Sequence, residues 1–221
     1  MRLLGIFVVG AVIGTTHQAT AEADGPPASS YFFRLSLGGV AAKMRQSVTQ
    51  TIFNDANFRS VEVDGSGVGG QGKLAVGWTR TPRMQLGGFV RVARVPMTVD
   101  NSIPAEMTTT HAVTATHVHL GPQIAFTATS LFYVRADVGI GKLFRGSIDG
   151  VGPDTGSFSA FALGGGAEVG FVIHLDTNAL ELGVALDAAW AKTESDSDFG
   201  FASNTRVASV ALVASFAIGV R

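Results

Sequence analysis

The strongest constraint on the fold is a period of two at the C-terminal end of the chain. From Val210, every second residue is apolar and mostly large: Val210, Leu212, Ala214, Phe216, Ile218 and Val220. The residues between them, Ser209, Ala211, Val213, Ser215, Ala217 and Gly219, are mostly small. Successive side chains of an extended backbone leave opposite faces, so residues 206–221 read as a strand. About ten such residues cross a bilayer as a tilted strand, provided that a closed barrel pairs every backbone group. A soluble sandwich shows the same alternation, but its outer face would be charged and wet. Here the second face is small and nearly uncharged, which suits the interior of a narrow barrel.

Seven earlier segments carry the same signal: 31–42, 67–80, 83–95, 114–128, 131–145, 158–175 and 179–192. In the first, Phe33, Leu35 and Leu37 oppose Arg34, Ser36 and Gly38. In the fifth, Phe132, Val134, Ala136, Val138 and Ile140 oppose Tyr133, Arg135, Asp137, Gly139 and Gly141. Phe89 falls on the inner set of its segment, and Pro122, which cannot donate to a ladder, marks a bulge or a locally weak pairing. The connections alternate in length: long at 43–66, 96–113, 146–157 and 193–205, short at 81–82, 129–130 and 176–178. Short turns on one side and long loops on the other, with an even strand count, predict an all-β, eight-stranded antiparallel up-and-down transmembrane barrel over residues 31–221.

Composition narrows the rest. The net charge of −1 over 221 residues supplies no basic field for nucleic acid. Cysteine is absent, which excludes disulfides, thiolate-held metals, a thiol nucleophile and a lipid anchor on an N-terminal Cys. The 28 glycines follow no triplet period. At the N-terminus, Arg2, an apolar run from Leu3 to Ile13 and small residues at Ala19, Ala21 and Ala23 predict a signal peptide over 1–23, cleaved after Ala23 or Ala21. A Pro-containing linker over 24–30 follows, and no later run is long and apolar enough for a spanning helix. With a strand as the last element, no further domain is expected.

The inferred inner faces gather Arg34, Lys73, Arg91, Arg135, Asp137, Glu168, Glu181 and Asp187, with His117 and His119. An eight-stranded barrel is just wide enough for side chains to fill, so opposite charges are expected to pair across the lumen and plug it. The alternative is a narrow polar path. His117-Val118-His119 places two imidazoles on one face at roughly 7 Å, a spacing compatible with a metal, but no carboxylate is fixed beside them and plain lumen-facing histidines are the simpler reading. Gly65 to Gly70 lacks the Lys-Ser/Thr of a phosphate loop and reads as a flexible entry into the second segment. Trp78, Trp190 and Phe33 fall near segment ends, where interfacial aromatic girdles sit. No catalytic residue, cofactor or metal is expected.

On this pattern the whole mature chain resembles the small eight-stranded outer-membrane proteins, the OmpA-like, OmpX-like and OmpW-like barrels. The chain departs from them at its end, Gly219-Val220-Arg221, where an aromatic terminal residue is usual. The resemblance implies a monomer in the outer membrane of a Gram-negative bacterium, with outer-membrane lipid, lipopolysaccharide and the barrel assembly machinery as partners. It implies a role in envelope integrity or surface interaction; the alternative is passive transport of small solutes. Some such barrels modify lipid A, which would need a nucleophile such as Ser147 or Ser203 with a partnering His, and neither serine has a His-x-Ser pattern beside it. A soluble exported barrel that binds an apolar ligand is a further reading.

Overall fold

Eight strands account for almost all of the regular structure, because alternation and not helical periodicity runs the length of the chain. The computed structural model describes residues 31–51, 58–102, 109–145, 158–175, 178–195 and 201–219. The expected signal peptide and linker, Ser147 and the last two residues lie outside them. The strands are β1 (Tyr31–Thr51), β2 (Phe58–Thr81), β3 (Met84–Ser102), β4 (Thr109–Thr127), β5 (Phe132–Arg145), β6 (Phe158–Leu175), β7 (Asn178–Ser195) and β8 (Phe201–Ile218). Each pairs antiparallel with its neighbours in sequence, and β1 pairs with β8, so the sheet closes into a barrel with no free edge.

The register fixes the tilt. From Ser36 the paired residues run through Lys73, Arg91, His119, Gly141, Ala162, Ala191 and Thr205 and return to β1 at Gln46, ten residues above the start. That stagger over eight strands belongs to barrels whose strands lean by about 35–45° and whose interior is filled by side chains.

Three expected loops are largely strand. Over 43–66, 96–113 and 193–205, β1 continues to Thr51, β2 begins at Phe58, β3 continues to Ser102, β4 begins at Thr109, β7 continues to Ser195 and β8 begins at Phe201. The alternation persists there, with Met44, Gln46, Val63, Met97 and Val99 buried while Lys43, Arg45, Thr98 and Asp100 point out. Outward polar residues had the look of a loop because the strands rise past the apolar belt into a polar zone. Gly65 to Gly70 accordingly lies inside β2 and not at a flexible entry. A Cβ at Gly67 or Gly69 would collide with the Pro96 or Arg94 carbonyl of β3, so close strand approach is what requires glycine there. Pro122 causes no bulge: the β4–β5 ladder skips Gly121 and Pro122 and resumes in the same register, a locally weak pairing. The one register shift among the described strands sits at Thr79/Thr81, beside the turn at Pro82 and Arg83.

All eight strands expose large apolar side chains outward, among them Leu37, Val76, Ile124, Val138, Phe171, Leu186 and Leu212. An apolar belt running right round a closed sheet is far beyond what water tolerates, and its solvent is lipid. Trp78, Phe33 and Trp190 all point outward. The first two mark the end where the short turns lie; Trp190 lies toward the long-loop end. The depth profile of this belt is testable by reversible unfolding from lipid vesicles. Val138→Arg, in the middle of the belt, should cost about 2–4 kcal/mol, and Thr116→Arg, at its loop-side edge, about 0–1 kcal/mol.

Candidate functional site

Each strand sends alternate residues inward, so the lumen is where the chain's buried polar groups meet. All ten residues expected there line the interior. The structure brings the eight charged ones together as two stacked groups, each with two cations and two carboxylates.

The group nearer the short turns joins Arg34 of β1, Arg135 of β5, Glu168 of β6 and Glu181 of β7. Glu181 accepts from Arg34 Nη2 at 3.0 Å and from Arg135 Nη2 at 2.6 Å. Glu168 accepts from Arg135 Nη1 at 2.8 Å and from the Tyr133 hydroxyl at 2.7 Å, and Gln85 accepts from Arg34 at 2.7 Å. Phe32 and Tyr133 lie beneath the two guanidiniums, with Arg34 at 4.9 Å and Arg135 at 4.4 Å from the ring centroids. A cation against an aromatic face recovers part of the attraction lost with water.

The second group lies toward the loops: Lys73, Arg91, Asp137 and Asp187. Lys73 and Arg91 are directly opposed on the lumen face of β2 and β3, a like-charged pair that destabilises by itself. Asp137 reaches across from β5 and accepts from Lys73 Nζ at 2.6 Å and from Arg91 Nη2 at 3.1 Å. Asp187 accepts from Arg91 Nη1. Phe89, the exception to its segment's pattern, is buried between both cations, 5.0 Å from Lys73 Nζ and 5.5 Å from the Arg91 guanidinium carbon. Its inward position is therefore part of the charge layer. Gly166 leaves the space that Asp187 occupies, since a Cβ there would strike the carboxylate.

Burial makes this neutrality necessary. Arg34, Arg91 and Arg135 are each 3% exposed or less, and a charge in such a place persists only when paired and hydrogen-bonded.

Above the charges the interior changes character. Along β1 the inward residues after Ser36 are Gly38, Val40, Ala42 and Met44; along β3, Ala93, Val95, Met97 and Val99 follow Arg91; along β7, Ala189 and Ala191 follow Asp187. All of these but Gly38 and Ala93 belong to one buried apolar cluster with Leu143, Val113 and Val207. Sequence reasoning missed this zone because Met44, Val63, Met97, Val99 and Val113 fall in stretches taken for loops. Its signal was the continued alternation of Val95, Met97 and Val99.

His117 and His119 stand at the boundary between the two zones, with ring centroids 5.1 Å apart, closer than strand spacing alone implies because the rings tilt toward each other. His119 packs against two glycines: a Cβ at Gly164 would come within 2.7 Å of its Cε1. Both of its ring nitrogens lack a hydrogen-bond partner among the described residues. No group of three or more His, Asp or Glu side chains with metal-holding geometry occurs among the described residues. Ser203 points inward, and its hydroxyl makes no hydrogen bond among the described residues.

Comparison with solved structures places this architecture. The outer membrane protein OprG from Pseudomonas aeruginosa superposes with a TM-score of 0.58 at 12% identity, covering 86% of this chain and 97% of OprG. The fold is that of the small eight-stranded outer-membrane barrels. The outer membrane protein AlkL, solved in lipid bilayers, matches at 13% identity over 93% of this chain and 97% of its own, with a TM-score of 0.45. Ail, the attachment invasion locus protein of Yersinia pestis, matches at 15% identity over 83% and 98%, with a TM-score of 0.36. At such identities the likeness to OprG speaks for the fold alone. No family model matches the chain, and no curated protein matches it.

In this barrel Asp137 is the keystone of the second group, because among the described residues it alone accepts from both Lys73 and Arg91. Asp137→Ala should cost roughly 3–5 kcal/mol by leaving two buried cations opposed. Adding Lys73→Met and Arg91→Met should restore part of that loss, measured as denaturant midpoints in detergent micelles or vesicles.

Proposed function

We propose that this is a non-enzymatic protein of a bacterial outer membrane whose lumen is closed, and which serves envelope integrity or surface interaction through its anchored wall and loop-side surface. The observation that carries this reading is the pair of neutral charge layers spanning the lumen from six strands, with guanidiniums almost wholly buried. Past the hydrogen-bonded pair of Arg145 and Gln46, ions entering from the loop side would meet the apolar zone of Val40, Met44, Val95, Met97 and Leu143, which offers no partner in place of water. The outward apolar belt and the fold shared with OprG support the outer-membrane location.

A second reading has one specific observation in its favour. The apolar loop-side zone would accept an apolar solute better than a polar one, so passive movement of such a molecule into the wall is the alternative to a closed plug. The two separate in one experiment, conductance and solute uptake by refolded protein in planar bilayers and vesicles. The closed reading predicts electrical silence and no uptake from protein shown to be inserted. Discrete openings altered by Arg135→Ala or Glu168→Ala would contradict it, and uptake of apolar solutes without conductance would favour the second reading.

A further inference from the structure

The barrel fills its lumen with its own side chains. Its outward face is apolar until β1, β7 and β8 approach the loop end. There Arg45 of β1 and Arg206 of β8 are directly opposed across the ladder, both pointing out. Like charges in that position repel, and nothing in the barrel requires them. Lys43 lies two residues below Arg45 on the same face, opposite Ala208. Among the described residues Asp64 lies 3.0 Å from Arg45 Nε and Glu62 of β2 also attracts Arg45, so the three cations keep an excess of one positive charge.

The cluster sits over a concavity. A groove of about 790 Å³ is lined by Lys43, Arg45, Gly165, Ala188, Trp190 and Arg206. Register explains it: Val138, Gly165, Ala188, Ala208 and Lys43 form one paired row across five strands, and its three central members carry no long side chain. Leu163 and Trp190 wall the row, and the Trp190 indole is held by donating to Asn204 Oδ1 at 2.5 Å. A second concavity of about 600 Å³ continues past Lys43 and Ala208 between Leu186, Val210, Ala41 and Val68.

We infer that this groove binds a phosphorylated, multiply acylated glycolipid of the outer leaflet, with a phosphate between Arg45, Arg206 and Lys43 and an acyl chain along the row of Gly165, Ala188 and Ala208. Charge complementarity selects the phosphate: two guanidiniums and an ammonium bind a doubly charged tetrahedral anion through charge-assisted hydrogen bonds and cancel their own repulsion. Depth selects the lipid, because the cations stand just above the apolar belt on the long-loop side. This rests on the outer-membrane orientation proposed above.

The test uses the mature chain in nanodiscs, with binding of a diphosphorylated hexa-acylated glycolipid read by native mass spectrometry and thermal shift. Binding should exceed that of phosphatidylglycerol, of the dephosphorylated glycolipid and of inorganic phosphate. In Arg45→Ala/Arg206→Ala it should weaken by about tenfold or more, as loss of charge-assisted hydrogen bonds implies. Arg94→Ala/Lys142→Ala, which removes outward cations away from the groove, should bind as the original does. Equal binding of phosphatidylglycerol or of the dephosphorylated glycolipid would overturn the proposal, as would an unaffected Arg45→Ala/Arg206→Ala variant whose circular dichroism reports a folded barrel. Protein that fails to insert at all would overturn the membrane reading together with this one, whereas inserted protein indifferent to the headgroup would overturn this one alone.

Discussion

A backbone in lipid has no water to bond with, and closure of the sheet is the arrangement on which everything else in this molecule depends. Pairing of β1 with β8 removes the free edges, and a stagger of ten residues over eight strands then sets the bore. Once the bore is that narrow, whatever points inward is taken out of water. The inner set must therefore be small, apolar or mutually neutralising, and the outer set must be apolar to the height of the belt. Ala217, Ala162 and Ala179, fully buried, answer the first demand, and Leu212 and Val138, widely exposed, the second.

The interior meets the demand in two ways at two depths. Toward the short turns, charges from β1, β2, β3, β5, β6 and β7 combine into two neutral groups, each braced by aromatic rings. Toward the loops, valines, methionines and alanines pack as one apolar cluster, with Arg145 the charged residue beside it, donating to Gln46. Buried ion pairs add little net stability compared with apolar packing, so their place here is better understood as specifying which strand faces which. Glu168 opposite Arg135, and Asp137 reaching both Lys73 and Arg91, would all be mismatched by a slip of one residue.

Period two carries the facing of side chains with little ambiguity, which is why the lumen residues were legible without coordinates. What it does not carry is where a strand stops. Lys43, Arg45, Thr98 and Asp100 look like loop residues, yet they are the outward half of strands that outlast the belt, and only their apolar partners Met44, Met97 and Val99 betray it. Nor does alternation say which charges meet. Arg34 and Glu181 are 147 residues apart, and their pairing follows from barrel closure, which only the register supplies. The opposition of Arg45 and Arg206 was hidden for the same reason.

A closed lumen keeps the inward faces sealed from water at both depths. The absence of cysteine allows a direct measurement, the rate at which a small membrane-impermeant thiol reagent labels single cysteines in the folded, inserted protein. Ala185→Cys, between Glu181 and Asp187 on β7, and Val95→Cys, in the apolar zone, should both stay unlabelled until the barrel is unfolded. Labelling of either at the rate of a cysteine placed at exposed Thr110 would mean that water and solutes traverse the lumen, and would contradict the account.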